Sequence, residues 1–136
     1  MFKKLKKNKK GFTLVEIIVV LVILAILAAI AIPTMLGFVN DAKGKAYIAE
    51  ARTAYVAAQA IATEKKNSGG TYAVPTSDEV NKLASLTLDS TKNETIEVTD
   101  EGSDGIIDKV ALIKGGKKVT ITVTGANQGT VVEDAA

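Results

Sequence analysis

The sequence lacks several residue types on which protein chemistry often depends. Its 136 residues include no cysteine, no histidine and no tryptophan, and only two prolines. Disulfides, thiolate chemistry, imidazole catalysis and the common zinc sites are therefore excluded. Carboxylates, hydroxyls and lysines remain, but no spacing among them singles out a nucleophile and a base. The sequence predicts a protein that is not an enzyme and that is stabilised by packing alone.

Basic residues are concentrated at the amino terminus. Six of the seventeen fall within the first ten positions: Lys3, Lys4, Lys6, Lys7, Lys9 and Lys10. Beyond Gly11, eleven basic residues stand against fifteen acidic ones, a difference of −4. Lysines directly before an apolar segment stay on the cytoplasmic side of a membrane. The cluster therefore indicates membrane topology, and no nucleic-acid partner is expected by default.

A long apolar segment follows the lysines. From Ile17 to Ile32 no side chain carries a polar atom. A helix over Phe12–Ile32 would be about 31 Å long, enough to cross a bilayer core of about 30 Å. The alternative is a cleaved secretory signal peptide with small residues at its cleavage site, for which the candidates are Ala28, Ala29 and Ala31. The length of the run favours a retained membrane span.

The chain continues as an amphipathic helix from about 34 to 65. Apolar residues recur at helical spacing at Tyr47, Ala51, Ala54, Ala58 and Ile61. Pro33 separates this pattern from the apolar segment and removes one backbone hydrogen bond, which predicts a bend or a local unwinding. Two separate helices joined by a turn are the alternative.

An αβ-loop of about 66–93 and an antiparallel sheet of about 94–136 are expected next. Within the loop, "SDEVNKLASL" predicts a short helix from about Asp78 to Leu86, with Ser77 as its N-cap and an apolar side formed by Val80, Leu83 and Leu86. The stretch "ETIEVT" alternates as a strand does, with Ile96 and Val98 on one face.

A hairpin with a two-residue turn at Gly115-Gly116 sets the register of the next two strands, because glycine accepts the positive φ of tight turns. Thr120 and Thr122 then point to the opposite face from the apolar pairs. The predicted cross-strand partners are Lys114 with Lys117, Leu112 with Val119, Val110 with Ile121, and Asp108 with Val123.

The apolar face of this sheet must be buried against another element, and the Tyr47–Ile61 helix is the long amphipathic element available. The fold class predicted is α+β: a long amino-terminal helix, apolar and then amphipathic, packed on a small antiparallel sheet.

The stretch "KKGFTLVEIIVVLVILAILAAIAIP" resembles the type IV pilin family. The shared features are a basic leader, Gly11, Phe12 and a glutamate, Glu16, four positions after that phenylalanine. The resemblance is close over about the first thirty-five residues, and the carboxy-terminal part carries no matching motif.

The resemblance implies processing by a membrane prepilin peptidase, which would cut between Gly11 and Phe12 and methylate the new amine of Phe12. It divides the chain into a leader at 1–11, a membrane and assembly helix at 12–33 and a globular domain at 34–136. The precursor would be a single-pass protein of the cytoplasmic membrane, and the mature subunit would lie in an extracellular pilus. Its implied partners are the membrane, copies of itself in a helical polymer, the prepilin peptidase, and the assembly platform with its ATPase.

The resemblance also implies that Glu16 pairs with the Phe12 amine, its own or a neighbour's, when subunits polymerise. A carboxylate that reaches water at the membrane boundary is the alternative. Many pilins have a glycine within the apolar helix and a carboxy-terminal disulfide, and this chain has neither. Filament-dependent unwinding is therefore expected to depend on Pro33 and to centre on about Ala28–Ile32.

Other residues suggest weaker sites. Asp100, Asp104 and Asp108 surround a glycine-rich turn that could hold calcium, as pseudopilins of type II secretion do, although no cofactor is expected by default. A second cluster, at Lys114, Lys117 and Lys118, would be a solvated tip or a basic surface for DNA. Asn93 begins a glycosylation sequon.

The function expected from the resemblance is the major structural subunit of a type IV pilus for motility, adhesion or aggregation. The alternatives are a type II secretion pseudopilin, a competence pilin, and a membrane-anchored surface binding domain that does not polymerise.

Overall fold

The computed structural model of the chain describes residues 11–123 and 128–135. The predicted lysine leader therefore lies outside the described residues, apart from Gly11. Its elements are α1 (Leu14–Asn67), α2 (Ser77–Ala84), a 3-10 turn (Ser90–Lys92), β1 (Thr95–Thr99), β2 (Lys109–Lys114), β3 (Lys117–Thr122) and β4 (Gly129–Asp134). The chain divides into two compact units, the first ending at Val39 and the second beginning at Asn40.

In the first unit, α1 runs through Pro33 without interruption. The local unwinding predicted for the single chain and the alternative of two helices joined by a turn are wrong, while a bend at Pro33 and unwinding in a filament stay predictions. Proline removes only its own amide donor, which would have bonded the carbonyl of Ala29. The hydroxyl of Thr34 donates to the carbonyl oxygen of Ala31 at 2.9 Å and so supplies a further bond in the same turn.

The second unit is held together by a core between α1 and the sheet. Five alanines of α1 are buried: Ala51, Ala54, Ala57, Ala58 and Ala62. Ile96, Val110, Leu112, Val119 and Ile121 of the sheet join the same cluster, together with Val80 and Ile107. Alanine has a small side chain, so the sheet can approach the helix closely. The predicted helix-on-sheet packing and the α+β fold class are confirmed, and the arrangement is consistent with the type IV pilin fold.

The four strands lie in the order β1-β2-β3-β4, and all pairs are antiparallel. The predicted hairpin register is confirmed: Lys114 pairs with Lys117, Leu112 with Val119 and Val110 with Ile121. Beyond the strand ends, the amide of Val123 donates to the carbonyl of Asp108 at 2.8 Å. Gly115 and Gly116 have φ of 56° and 76°, so both turn residues use the left-handed conformation that favours glycine.

Helix α2 begins one residue earlier than predicted, and its N-cap is Thr76, not Ser77. The Thr76 amide donates to Glu79 Oε2 at 2.8 Å, and the Glu79 amide donates to Thr76 Oγ1 at 3.4 Å. Ser77 bonds to β1 instead, since its Oγ accepts from the amide of Ile96 at 3.1 Å. Of the predicted apolar residues of this helix, Val80 is buried, but Leu83 is 56 % exposed.

Strand β4 was not distinguished in advance within the predicted sheet region. All six of its residues are exposed, including the two apolar ones, Val131 and Val132. Both valines are adjacent in the sequence, so they point to opposite faces of the sheet and give no alternating pattern. The strand forms through its backbone pairing with β3.

Candidate functional site

Helix α1 begins with a reciprocal pair of hydrogen bonds between Thr13 and Glu16. The Thr13 amide donates to Glu16 Oε2 at 3.0 Å, and the Glu16 amide donates to Thr13 Oγ1 at 3.2 Å. Since the helix starts at Leu14, Thr13 occupies the N-cap and Glu16 the third helical position. This is a capping box, in which two otherwise unbonded amides at a helix start are satisfied by side chains.

The capping box gives the Glu16 carboxylate a partner within its own chain. One oxygen, Oε2, is bonded, and an anion at a helix start is further stabilised by the helix dipole. Across residues 11–123 and 128–135, no lysine, arginine or amino group forms an ion pair with Glu16. The carboxylate is therefore hydrogen-bonded at Oε2 and has no cationic partner among the described residues.

Gly11 and Phe12 lie in the exposed, non-helical segment before α1. The Phe12 side chain is 82 % exposed. A Cβ added at Gly11 would meet nothing within 4 Å. The contacts of the described residues therefore leave room for a larger side chain at this position.

No described residue of the first unit covers the apolar segment of α1. Large side chains from Ile17 to Ile32 are between 45 % and 67 % exposed. Among the described residues, α1 is a helix long and apolar enough to cross a membrane. No residue of its most apolar stretch is buried. Exposed apolar surface on this scale marks a site of membrane insertion or protein association. Pro33 lies at the end of this apolar segment, within α1.

The predicted acidic turn is organised around Asp100, which is only 7 % exposed. Its carboxylate accepts hydrogen bonds from the Tyr72 hydroxyl at 2.6 Å and from the Gly105 amide at 3.0 Å. Burial raises the pKa of Tyr72 to about 12, and the bond to Asp100 adds to the shift. Burial also acts to raise the pKa of Asp100, but the bonds it accepts outweigh this and hold that pKa below its usual value.

The other two candidate calcium ligands are also engaged in this turn. Asp104 Oδ1 accepts from the Ile106 amide at 2.8 Å, and Asp108 Oδ2 accepts from the Glu101 amide at 2.7 Å. No group of three or more acidic side chains that could hold a metal ion is found among the described residues.

The lysines around the hairpin turn form ion pairs. Lys114 binds Glu50 at 2.8 Å, Lys118 binds Glu97 at 3.0 Å, and Lys117 binds Asp134. Each lysine charge therefore has an adjacent carboxylate, which weakens the local positive potential. Asn93, the first residue of the sequon, is exposed and closes the 3-10 turn with a left-handed backbone conformation.

Thr13 is the residue of this site whose role was missed in the sequence. The signal was present, because Thr13-Leu14-Val15-Glu16 has the threonine-x-x-glutamate spacing of a capping box directly before an apolar run. The structure thus brings together Gly11, Phe12, Thr13 and Glu16 at one helix start, and it leaves the acidic turn and the paired lysines as features of the second unit.

Comparison with known proteins identifies the amino-terminal segment. Residues 6–32 match the family described as the prokaryotic N-terminal methylation motif. No curated protein and no solved structure matches the chain. The chain therefore carries a type IV pilin-like prepilin signal, and the resemblance noted from Gly11, Phe12 and Glu16 is confirmed at this level.

Proposed function

We propose that this chain is the major structural subunit of a type IV pilus. One observation carries the proposal: a prepilin methylation motif is continuous with a helix whose apolar side chains, in the part of the chain that the structure describes, are exposed on all sides. Such a segment needs lipid before assembly and other apolar helices afterwards. Neighbouring copies of the same chain offer helices of the required composition.

Processing is the first step of the proposed mechanism. A prepilin peptidase cuts the exposed peptide bond between Gly11 and Phe12, and methylates the new amine of Phe12. The membrane then holds the apolar part of α1 until the assembly platform lifts it into the filament. The second unit, with its own core, remains outside as the filament surface, where adhesion, aggregation or motility would be determined.

The charge of Glu16 directs the transfer of α1 from the membrane into the filament. In the single chain its Oε2 caps α1, which lowers the cost of keeping a carboxylate beside apolar surface. Cleavage places a positive amine at Phe12, four residues before it. When helices pack together, pairing of that amine with the carboxylate favours one axial register, because an unpaired charge in a low-dielectric environment would cost several kcal/mol.

Two substitutions separate the charge of Glu16 from its capping role. Glu16→Gln keeps an acceptor at the third helical position, since glutamine also completes a capping box, but it removes the charge. Thr13→Val removes the hydroxyl and leaves the charge. We expect Glu16→Gln to insert in the membrane normally and to reduce surface filaments at least tenfold, while Thr13→Val retains most of them.

The measurement is the amount of subunit sheared from the cell surface, relative to the amount in the membrane fraction. Filaments from Glu16→Gln at the wild-type level would contradict the proposed role of the charge. An uncut leader, together with no subunit in the sheared material from either the wild type or Glu16→Gln, would instead favour a membrane-anchored binding domain that does not polymerise.

A further inference from the structure

The segment from Asp100 to Asp108 joins β1 to β2 and carries four carboxylates, at Asp100, Glu101, Asp104 and Asp108. Such a turn is a candidate site for a divalent cation. Calcium requires about six to eight oxygen ligands around one point. The contacts of these side chains decide whether the turn can provide them.

The Asp100 carboxylate faces hydrogen-bond donors. Besides the Tyr72 hydroxyl and the Gly105 amide, the Asp104 amide donates to its Oδ1 at 3.3 Å. An ionised carboxylate can accept about four hydrogen bonds, and Asp100 already accepts most of that number. A cation bound there would lie against N–H and O–H groups whose positive ends point toward it, which is unfavourable.

The other carboxylates do not join Asp100 in a group of three that could hold a metal ion, among the described residues. Asp104 Oδ1 bonds an amide two residues ahead, and Asp108 Oδ2 bonds the amide of Glu101. Each bond closes a local turn. The donor set of this segment, as described, therefore does not fit calcium.

A lysine from α1 supplies the positive charge instead. Lys66 Nζ donates to the carbonyl oxygen of Ser103 at 3.2 Å and lies 5.4 Å from the centroid of the Tyr72 ring. A backbone carbonyl is a ligand that a calcium ion would use. Lys66 also runs beside Gly105, where an added Cβ would be 3.2 Å from the Lys66 Cβ.

Gln59, two turns earlier on α1, attaches the same segment. Its Nε2 donates to the carbonyl of Gly105 at 2.7 Å, and its Oε1 accepts from the amide of Ile107 at 2.9 Å. The helix thus contributes a cation and a bidentate amide to one acidic segment, and Ile107 beside them is fully buried.

We propose that the Lys66 ammonium, with the donors around Asp100, takes the place of a bound cation in holding the acidic segment on α1. The second unit is then stable without divalent metal. This inference concerns the second unit alone, so its test does not depend on whether the chain polymerises.

The test is thermal unfolding of the full chain in detergent micelles, followed by tyrosine fluorescence. All three tyrosines lie in the second unit and the chain has no tryptophan, so the signal reports that unit. The wild-type midpoint is measured in EDTA, in millimolar CaCl₂ and in millimolar MgCl₂. We expect the three midpoints to agree within about 1 °C, whereas the loss of about 1 kcal/mol shifts a domain of this size by about 4–8 °C.

Lys66→Met removes the ammonium and keeps an apolar stem. Lys92→Met is the matched control, because Lys92 is 72 % exposed and its one ion pair within residues 11–123 and 128–135 is with Asp89. We expect Lys66→Met to unfold about 2–4 °C lower, in line with a partly exposed charge, and Lys92→Met to change little. Tyr72→Phe, which removes one donor to Asp100, should also lower the midpoint.

Two results would overturn the proposal. One is a wild-type midpoint that rises in CaCl₂ but not in MgCl₂, with the rise abolished by Asp108→Asn. The other is a Lys66→Met midpoint as high as that of Lys92→Met. Should Lys66→Met fail to fold, the metal series on the wild type and on Tyr72→Phe still decides the question, since either protein gaining stability from CaCl₂ alone would refute it.

Discussion

The two parts of helix α1 both carry apolar side chains, but those side chains differ in size and in burial. From Ile17 to Ile32 the large side chains are between 45 % and 67 % exposed. From Ala51 to Ala62, five alanines are buried against the sheet. The first part therefore depends on lipid or on other chains for its cover, while the second is covered by its own strands.

The side chains of each part suit the kind of contact it makes. Small alanines let a twisted sheet lie close to the helix, and the sheet contributes larger residues such as Leu112, which is fully buried. The first part has mainly isoleucine, leucine and valine, which interact well with lipid and can also pack between helices. Substitutions placed in both parts test this contrast.

The largest effect is expected from truncating the core of the second unit. Leu112→Ala should lower the free energy of unfolding by about 2–5 kcal/mol, because the core cannot close the cavity left behind. Leu24→Ala, in the exposed part of α1, makes the same chemical change and should leave the unfolding of the second unit unaltered. Tyrosine fluorescence during urea unfolding measures both, and equal effects would show that the contrast is wrong.

A smaller effect is expected from enlarging alanines on opposite sides of the second part of α1. Ala58 is fully buried, and Ala58→Leu should destabilise the second unit by about 1–3 kcal/mol through overpacking. Ala60 is exposed, and Ala60→Leu should change stability by no more than about 0.5 kcal/mol. The same urea titration distinguishes them. An Ala58→Leu protein as stable as Ala60→Leu would mean that the buried stripe is misplaced.

The smallest effect is expected from lowering the pH, which protonates Glu79 in the capping box at the start of α2. At α2, the bonds from Lys65 and then from the Thr76 amide lower the pKa of Glu79 from 4.5 to about 2. Because the folded-state pKa is depressed, the stabilisation is complete above about pH 4.5 and is lost as the pH falls toward 2. The unfolding midpoint should decline across this window.

Glu79→Gln keeps the capping box and removes the titrating group, so part of that decline should disappear. Asp89 and Asp100 also have lowered pKa values and contribute to the decline in the same direction. A Glu79→Gln profile as steep as the wild type would show that Glu79 contributes nothing to the acid sensitivity.

The sequence predicted those parts of the molecule that local patterns determine. The hairpin register followed from two adjacent glycines, and the buried helix stripe followed from alanine spacing. Strand β4 could not be singled out, since its two valines do not alternate. Ser77 and Thr76 both suit an N-cap, and only the position of Glu79, three residues after Thr76, decides between them. The segment that contains Asp100 is bonded by Tyr72, Gln59 and Lys66, which local sequence patterns do not link to it.

At the candidate site, the motif around Gly11, Phe12 and Glu16 was recognisable from sequence because its spacing is distinctive. The family comparison confirms a prepilin signal there. The bond between Glu16 and Thr13 adds what the motif did not show, a partner for the carboxylate in the single chain.

The most direct test of the central claim is the intact mass of this protein in material sheared from the surface of cells that express it. If the uncovered part of α1 is the core of a filament, the sheared chain begins at Phe12 and is heavier by one methyl group. A chain that is absent from the sheared material, and that retains its lysine leader in the membrane, would contradict the claim.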